Sequence, residues 1–182
     1  DTGSIATDGN DTVTLDTTLL NKLTIVSKQD LTLIEAGATS LDSLQILDIT
    51  TDKAFDITTG LDDLATLTVA GTATTSAASL NALGLAGLTH NVNLNATGLK
   101  AGLGFAAVTA GTGSSTLDIS GVTGTVTMTG TVDADAGVTI TATNLAGALV
   151  GNEIISSSAG AILIDLTNAA LGADFGAITS TA

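Results

Sequence analysis

The residues best suited to chemistry in this 182-residue chain are oxygen-bearing side chains in two short turns. The first turn contains Asp8, Asn10 and Asp11, and the second contains Asp133 and Asp135. Oxygen ligands are what calcium prefers, and it takes about six to eight of them. We therefore predict calcium binding at these turns, with a neighbouring subunit as one source of the missing ligands. The alternative is that the side chains hydrogen-bond their own backbone.

The sequence offers little from which a catalytic site could be built. It has one histidine, His90, and contains no cysteine, arginine or tyrosine. Nucleophile–base pairs therefore lack most of their usual members. The closest carboxylate pairs are Asp62 with Asp63 and Asp133 with Asp135, and such pairs are more typical of solvated turns than of acid–base catalysis. His90 lies just before a predicted strand, where a turn residue is the simplest interpretation. We predict that the protein is not an enzyme.

The composition excludes several classes of protein. Lys and Arg together number 4 against 18 Asp and Glu, which gives a net charge of −14. Because nucleic-acid binding needs basic side chains, we predict no nucleic-acid partner. The absence of cysteine excludes a disulfide framework. No run of about 20 apolar residues is present, so we predict no membrane span. The first residue is Asp1, as expected of a processed protein, a leaderless protein or a segment of a longer one.

A repeat of apolar pairs runs through the chain and must position these turns. The two members of each pair are two residues apart, so they lie on one face of a strand. The pairs recur at intervals of 20 to 25 residues, and a second series follows eight or nine residues after the first. The first series is Leu23/Ile25, Leu47/Ile49, Leu67/Val69, Val92/Leu94, Leu117/Ile119, Val138/Ile140 and Ile162/Ile164, and the second is Leu31/Leu33, Phe55/Ile57 and Val126/Met128.

This repeat predicts an all-β fold, a β-solenoid (parallel β-helix) of about seven coils of 20–25 residues each. The absence of proline fits, because proline would remove a ladder hydrogen bond from a central strand. One alternative is an antiparallel β-sandwich. Another is that the LxxLxx segments beginning at Leu41 and Leu61 form single helical turns, as in leucine-rich repeats. We predict one domain over residues 1–182, whose acidic N-terminal third, residues 1–63, holds twelve of the eighteen acidic residues.

Threonine strings raise the question of an outward hydroxyl lattice of the kind that orders ice. If the apolar pairs point inward, the residues between their members form an outward column. Asp, Asn and Leu interrupt this column, so we predict that it forms no flat threonine lattice. The column is Thr24, Asp48, Thr68, Asn93, Asp118, Thr139 and Leu163.

The two ends of a solenoid expose strand edges that invite pairing with another chain unless they are capped. We expect the polar segment Asp1–Thr12 to cover one end. The apolar segment Asp174–Ala182 is suited to add a strand to a neighbouring chain. Two glycosylation sequons are also present, at Asn10 and at Asn95.

Several stretches resemble RTX-type surface-layer proteins of Gram-negative bacteria and related type I-secreted adhesins. Gly9, Asp11 and Val13 match the second half of the RTX turn, whereas Ala6 and Thr7 stand where its paired glycines should be. The tandem glycine-rich nonapeptides of that family are absent. The resembling stretches are Leu67-Thr-Val-Ala-Gly-Thr, Thr116-Leu-Asp-Ile-Ser-Gly, Gly124-Thr-Val-Thr-Met-Thr-Gly and Val138-Thr-Ile-Thr-Ala-Thr.

The resemblance implies an extracellular cell-surface protein that leaves the cell without a cleaved leader and assembles into a calcium-dependent lattice. We therefore predict a structural, self-assembling subunit of a surface layer or surface filament, with other copies of itself as its partner and calcium as its stabilising ion. The alternative is an adhesin-type binding module whose ligand is a cell-surface glycan or ice.

Overall fold

The computed structural model describes residues 2–7, 11–37, 41, 43–51, 53, 55–57, 64–71, 78–80, 85–86, 91–100, 102–105, 107–156 and 160–181. These residues form 21 β-strands and no helix. Every strand pairing among them is parallel, and the strands stack into three sheets. The prediction of a β-solenoid is confirmed, and the antiparallel sandwich is wrong because its pairing would have the opposite direction.

Sheet 1 contains eight strands, and each strand except the two outer ones pairs with its counterparts one coil earlier and one coil later. Its first strand precedes the first apolar pair of the predicted series. In order, the strands are β1 (Thr2–Thr7), β3 (Lys22–Ser27), β5 (Ile46–Thr51), β7 (Thr66–Gly71), β10 (Val92–Asn95), β13 (Ser115–Asp118), β16 (Val138–Thr141) and β19 (Ile162–Asp165).

Sheet 2 also contains eight strands and carries the second apolar series in register, because Leu31 pairs with Phe55 and Leu103 pairs with Val126. In order, its strands are β2 (Asp11–Leu15), β4 (Leu31–Glu35), β6 (Phe55–Ile57), β8 (Ala78–Leu80), β11 (Leu103–Phe105), β14 (Val126–Met128), β17 (Leu149–Val150) and β20 (Ala173–Asp174).

Sheet 3 has five strands, which lie between Leu85 and Ser180 in the described part of the chain. Before it begins, the leucines of the LxxLxx segments complete the core, since Leu41, Leu44 and Leu64 are buried. The backbone N–H of Leu44 donates to the carbonyl of Leu41 at 2.8 Å. The strands of sheet 3 are β9 (Leu85–Ala86), β12 (Val108–Thr109), β15 (Val132–Asp133), β18 (Glu153–Ser156) and β21 (Ala177–Ser180).

The core lies between the sheets and is built from inward columns of aliphatic side chains. Alternation along each strand produces the columns: in β3, Leu23 and Ile25 are buried while Thr24 between them is half-buried. Leu23 pairs with Leu47, and Leu47 with Leu67, so equivalent side chains stack one coil above another. Small aliphatic layers of this kind pack closely without large aromatic rings.

The observed register corrects the phase of part of the predicted series. Leu67 pairs with Leu94, and Leu117 with Ile140. The series had instead aligned Leu67 with Val92 and Leu117 with Val138, two residues too early on the later strand.

Buried alanines explain this error. Ala96 lies directly after β10 and Ala142 directly after β16, and both side chains are fully buried. They occupy the inward column that isoleucine fills in β3 and β5, but alanine does not distinguish an inward position from an outward one in sequence. The two largest apolar residues of each of these strands therefore indicate a phase that is two residues too early.

In the early coils, side-chain hydroxyl groups stabilise the corner that follows each strand of sheet 1. Ser27 and Thr51 pair in register, and both side chains are buried. The Ser27 hydroxyl donates to the Gln29 carbonyl at 2.6 Å, and the Thr51 hydroxyl donates to the Lys53 carbonyl at 2.8 Å. Each corner therefore satisfies a backbone acceptor with a side chain of the strand before it.

In the later coils the corner after sheet 1 uses a left-handed residue instead. Gly98, Gly121, Asn144 and Asn168 have φ values of 72°, 68°, 56° and 59°. Glycine and asparagine are the residues that adopt this conformation most readily. The Asn168 amide also donates to the Asn144 side-chain oxygen at 3.2 Å, which links two corners along the solenoid axis.

Candidate functional surfaces

The first predicted calcium turn is only partly described. Asp8 and Asn10 lie outside the described residues, as do His90 and the pair Asp62 and Asp63. Asp11 begins β2, where its backbone pairs with Leu31. Calcium binding at the first turn, and glycosylation at Asn10, therefore stay predictions.

The second predicted calcium turn brings two carboxylates to one side of the chain. Asp133 lies in β15 and Asp135 follows it; both are half-buried, and the intervening Ala134 is fully buried. The backbone N–H of Asp135 donates to the Gly111 carbonyl at 2.9 Å, which fixes the turn against the previous coil. Two carboxylates supply only part of a calcium shell.

The residues paired with Asp133 on the adjacent strands of sheet 3 are not acidic. The backbone neighbours of Asp133 on the adjacent strands are Thr109 and Ile155. In the described part of the chain, no group of three or more His, Cys, Asp or Glu side chains is placed to hold a metal ion. Calcium binding by Asp133 and Asp135 therefore stays a prediction.

The outer face of sheet 1 carries a polar column that differs from the predicted one. Asn95 and Asp165 stand where the sequence pattern placed Asn93 and Leu163, and Thr141 stands in place of Thr139. Carboxylates interrupt the column at three positions, so it contains no continuous threonine ladder. The observed column is Ser4, Thr24, Asp48, Thr68, Asn95, Asp118, Thr141 and Asp165.

Three members of this column end their strands by hydrogen-bonding the backbone. The side-chain oxygens of Asn95, Asp118 and Asp165 each accept from the backbone N–H two residues later, at 3.0, 3.1 and 3.0 Å. These contacts are the Asx turns expected of Asp and Asn at strand ends. The sequon residue Asn95 is exposed, and its side-chain oxygen is held by the N–H of Thr97.

Asp165 is the acidic residue of this face whose ionisation the structure perturbs most clearly. The Thr167 hydroxyl donates to its carboxylate at 2.6 Å, in addition to the Thr167 backbone N–H. The hydroxyl and then the backbone N–H lower the pKa of Asp165 from its ordinary value of 3.8. Hydrogen bonds to the charged form favour it, so this carboxylate stays ionised in mildly acidic solution.

Lys22 forms an ion pair on the same face. Its Nζ lies 2.7 Å from Oδ2 of Asp48, on the neighbouring strand. Both side chains are partly exposed, and exposed pairs stabilise proteins by roughly 0–1 kcal/mol. The pair fixes two side chains on this face without making a binding site.

The last described coil, residues 160–181, presents an apolar layer on the side away from the other described coils. Its inward residues Ile164, Leu166 and Phe175 are only partly buried, whereas their counterparts one or two coils earlier are fully buried. Ile178, in register with the fully buried Ile154, is 53% exposed. Leu171 in the same coil is 70% exposed. Exposed apolar layers of this kind are typical of surfaces that bind another molecule.

The inward residues of the first described coil are also only partly buried. Ile5, Val13, Leu15 and Leu20 are partly buried and pack against the core from one side. The segment Asp1–Thr12 was expected to cover this end, but its described residues instead form β1 and the start of β2. That expectation is wrong, because Gly3 and Ile5 continue the inward columns of β3.

The C-terminal segment also differs from its predicted role as a free strand. Its residues contribute to β20 and β21, which already pair with β17 and β18 of the same chain. The segment is therefore the outer layer of the solenoid, and only one edge of each of its strands is left without a partner in the described part of the chain.

Comparisons with family models, curated proteins and solved structures gave no match, so the function must be argued from the chain itself. The described residues include no helix of the length and apolar character needed to cross a membrane.

Proposed function

We propose that this chain is a structural, self-assembling extracellular protein, a subunit of a surface layer or surface filament stabilised by calcium. One observation carries the proposal: the apolar layer of the last coil, where Ile178 is 53% exposed although it continues a buried column. Covering this layer with another copy removes apolar surface from water and pairs open strand edges at the same time.

Calcium has a specific role in this proposal. Copies with a net charge of −14 repel one another, and a divalent cation between subunits offsets that repulsion. Asp133 and Asp135 supply two ligands on one side of a coil, and Asp8, Asn10 and Asp11 supply oxygens near the other end of the chain. The remaining ligands come from the neighbouring subunit. The cell-surface location follows the resemblance of the threonine- and glycine-rich strands to RTX-type surface-layer proteins.

The test is sedimentation velocity of the purified chain over a concentration series, with Ile178→Asp as the variant. A carboxylate at this position would be buried in the interface without a partner. We expect Ile178→Asp to raise the concentration needed for assembly by about tenfold or more, equivalent to at least about 1.4 kcal/mol. Electron micrographs of the assembled material distinguish a lattice from a filament.

Val26→Asp is the matched control. Val26 is 42% exposed, in β3 near the other end of the chain, and it points away from the core. The same substitution there should leave assembly unchanged. A wild-type chain that remains monomeric at high concentration, with and without millimolar calcium, would contradict the proposal.

The alternative function is a binding module for a cell-surface glycan or ice. The outer face of sheet 1 favours it, because Asn93, Thr116 and Thr139 form a second polar column beside the one that holds Asn95 and Thr141. Binding of the monomeric chain to a glycan panel or to growing ice crystals, lost in a Thr139→Val/Thr141→Val double variant, would support this alternative.

A further inference from the structure

We propose that copies of this chain join head to tail, with the first coil of one copy stacking on the last coil of the next. In this arrangement β1 pairs in parallel with β19, and β2 pairs in parallel with β20. The inference rests on the proposed self-assembly and specifies which surfaces meet and in which register.

The strand edges are the first argument. In the described residues, β1 and β19 are the two outer strands of sheet 1, and β2 and β20 are the two outer strands of sheet 2. Each outer strand has one side without a ladder partner. Because all the coils run in the same direction, the head-to-tail arrangement continues the parallel pairing that every described coil already uses. Sheet 3 begins at β9, so this stacking continues two of the three sheets.

The apolar layers at the two ends are the second argument. The inward column that begins with Ile5 and Ile25 leads to Leu166 in the last coil, and the column that begins with Val13 leads to Phe175. The four residues at the ends of these columns are partly buried and already pack against the core on one side; they are Ile5, Val13, Leu166 and Phe175. Head-to-tail stacking therefore brings Leu166 against Ile5 and Phe175 against Val13, and completes both columns.

Charge is the third argument. Continuing the outward columns puts Asp165 beside Ser4 of the next copy and Asp174 beside Thr12. Each carboxylate then faces a hydroxyl group. Pairing two last coils around a two-fold axis would instead bring both copies of Asp165 and Asp174 into one interface. Asp11 of the next copy lies opposite Ala173 in the same register, so no strand carboxylate of one copy lies directly opposite a carboxylate of the next, a contact that would be destabilising.

Disulfide trapping tests the register directly, because the chain contains no cysteine of its own. Opposite residues on neighbouring strands are about 4.8 Å apart, within the range that a disulfide spans. Thr2 and Leu163 are at the ends of one outward column, and Ser4 and Asp165 are at the ends of the next. The experiment mixes equal amounts of two single variants, Thr2→Cys with Leu163→Cys, and separately Ser4→Cys with Asp165→Cys, under mild oxidation.

The mixture of Ser4→Cys with Leu163→Cys is the matched control. These positions are offset by two residues along the strand, which adds roughly 6.6 Å and exceeds the reach of a disulfide. Circular dichroism of each variant checks that it keeps the wild-type fold. The two in-register pairs use different residues, so each tests the register independently of the other.

We expect heterodimers from both in-register mixtures, at least about fivefold more than either variant forms alone, and little linkage in the offset control. The Ser4→Cys/Asp165→Cys double variant should form a ladder of linked oligomers. Homodimers of Leu163→Cys or Asp165→Cys in excess of heterodimers would overturn the inference in favour of two-fold pairing. Wild-type assembly in sedimentation without in-register linkage would overturn the inference and leave the proposed function standing. A monomeric wild-type chain without linkage would overturn both.

Discussion

Ser115 has a fully buried hydroxyl group that makes no hydrogen bond within the described part of the chain. On the two adjacent strands of sheet 1 its backbone pairs with Val92 and Val138. The hydroxyl group therefore loses its hydrogen bonds to water without replacing them, which costs roughly 1–3 kcal/mol. A side chain without a polar group would therefore suit the position of Ser115 better than serine does.

We expect Ser115→Ala to raise the free energy of unfolding by about 1 kcal/mol, because it removes the unsatisfied oxygen and adds no volume. Chemical denaturation followed by circular dichroism measures the change. Ser156→Ala is the matched control: Ser156 is also fully buried, but its hydroxyl donates to the Gly160 carbonyl at 2.9 Å. That variant should lower the free energy of unfolding by about 1 kcal/mol. Equal effects of the two substitutions would contradict the explanation.

Asp165 makes a pH-dependent contribution to stability. Its pKa is lower in the folded chain than the ordinary value of 3.8, first because of the Thr167 hydroxyl and then because of the Thr167 backbone N–H. The ionised carboxylate therefore stabilises the folded chain above the ordinary value, and this contribution is lost as the pH falls through the lowered value. We expect Thr167→Ala to raise the pKa of Asp165 and Thr167→Ser to leave it low, as measured by an NMR titration of the carboxyl carbon. An unchanged pKa in Thr167→Ala would contradict this assignment.

At the residue scale, the sequence predicted which face of a strand some polar residues occupy, but not others. It placed Asp118 correctly on the outer face of sheet 1, since alternation with buried leucine is visible in the sequence. It could not place Asn95 there, because the phase of that strand depends on the buried alanine Ala96. It could not place Asp165 there, because Ile162, Ile164 and Leu166 are three alternating apolar residues of similar size, from which two different pairs can be chosen. These residues form Asx turns, the arrangement that is also the alternative to calcium binding at the acidic turns.

The left-handed corners after sheet 1 are the elements that allow the later coils to turn. Asn144 has a φ of 56°, in a conformation that costs most residues with a Cβ roughly 1–2 kcal/mol. We expect Asn144→Ala to lower the free energy of unfolding by about 1–2 kcal/mol and Asn144→Gly to change it by less than about 0.5 kcal/mol. Thermal or chemical denaturation of the two variants measures the difference.

Asn152→Ala is the control for this corner. Asn152 is exposed and donates its side-chain amide to the Thr129 carbonyl at 3.2 Å, but it does not have a positive φ. Its replacement should cost less than Asn144→Ala. If both alanine variants lose the same stability, the side-chain hydrogen bonds rather than the backbone conformation explain the effect.

At the element scale, period-two alternation predicted most strands of sheets 1 and 2. Leu31 with Phe55, and Leu23 with Leu47, pair as the two series required. Sheet 3 was not predicted as a separate sheet, because its strands are short: β12 and β15 have two residues each. Two residues cannot display an alternation, so Val108 looked like a late member of the second series.

For the whole molecule, the net charge of −14 opposes the proposed assembly, so we expect that assembly to depend on salt. Raising the ionic strength from about 0.01 M to about 0.1 M shortens the screening length from roughly 30 Å to roughly 10 Å. We expect sodium chloride over this range to increase the assembled fraction, as measured by light scattering. Calcium chloride at the same ionic strength should increase it further, because a bound divalent ion removes charge as well as screening it.

The variant Asp133→Asn/Asp135→Asn separates these two effects. It should respond to sodium chloride like the wild type and lose part of the additional response to calcium. Identical curves for sodium and calcium at equal ionic strength would exclude a specific calcium contribution. The acidic residues and their concentration before residue 64 could be read from the sequence. The partly buried apolar residues of the outer described coils could not, because their exposure depends on how the coils stack.

The stacking of the coils also determines how the protein responds to mechanical force. Each coil is held to its neighbours by parallel ladders, and successive equivalents such as Leu23, Leu47 and Leu67 are 24 and 20 residues apart. A tensile load applied to the two termini acts first on an outer coil, whose strands have a ladder on one side only. Coils should therefore detach one after another from the ends, each releasing roughly 70–80 Å of extended chain. A chain built in this way is expected to dissipate tension in small, repeated steps while its remaining coils stay folded.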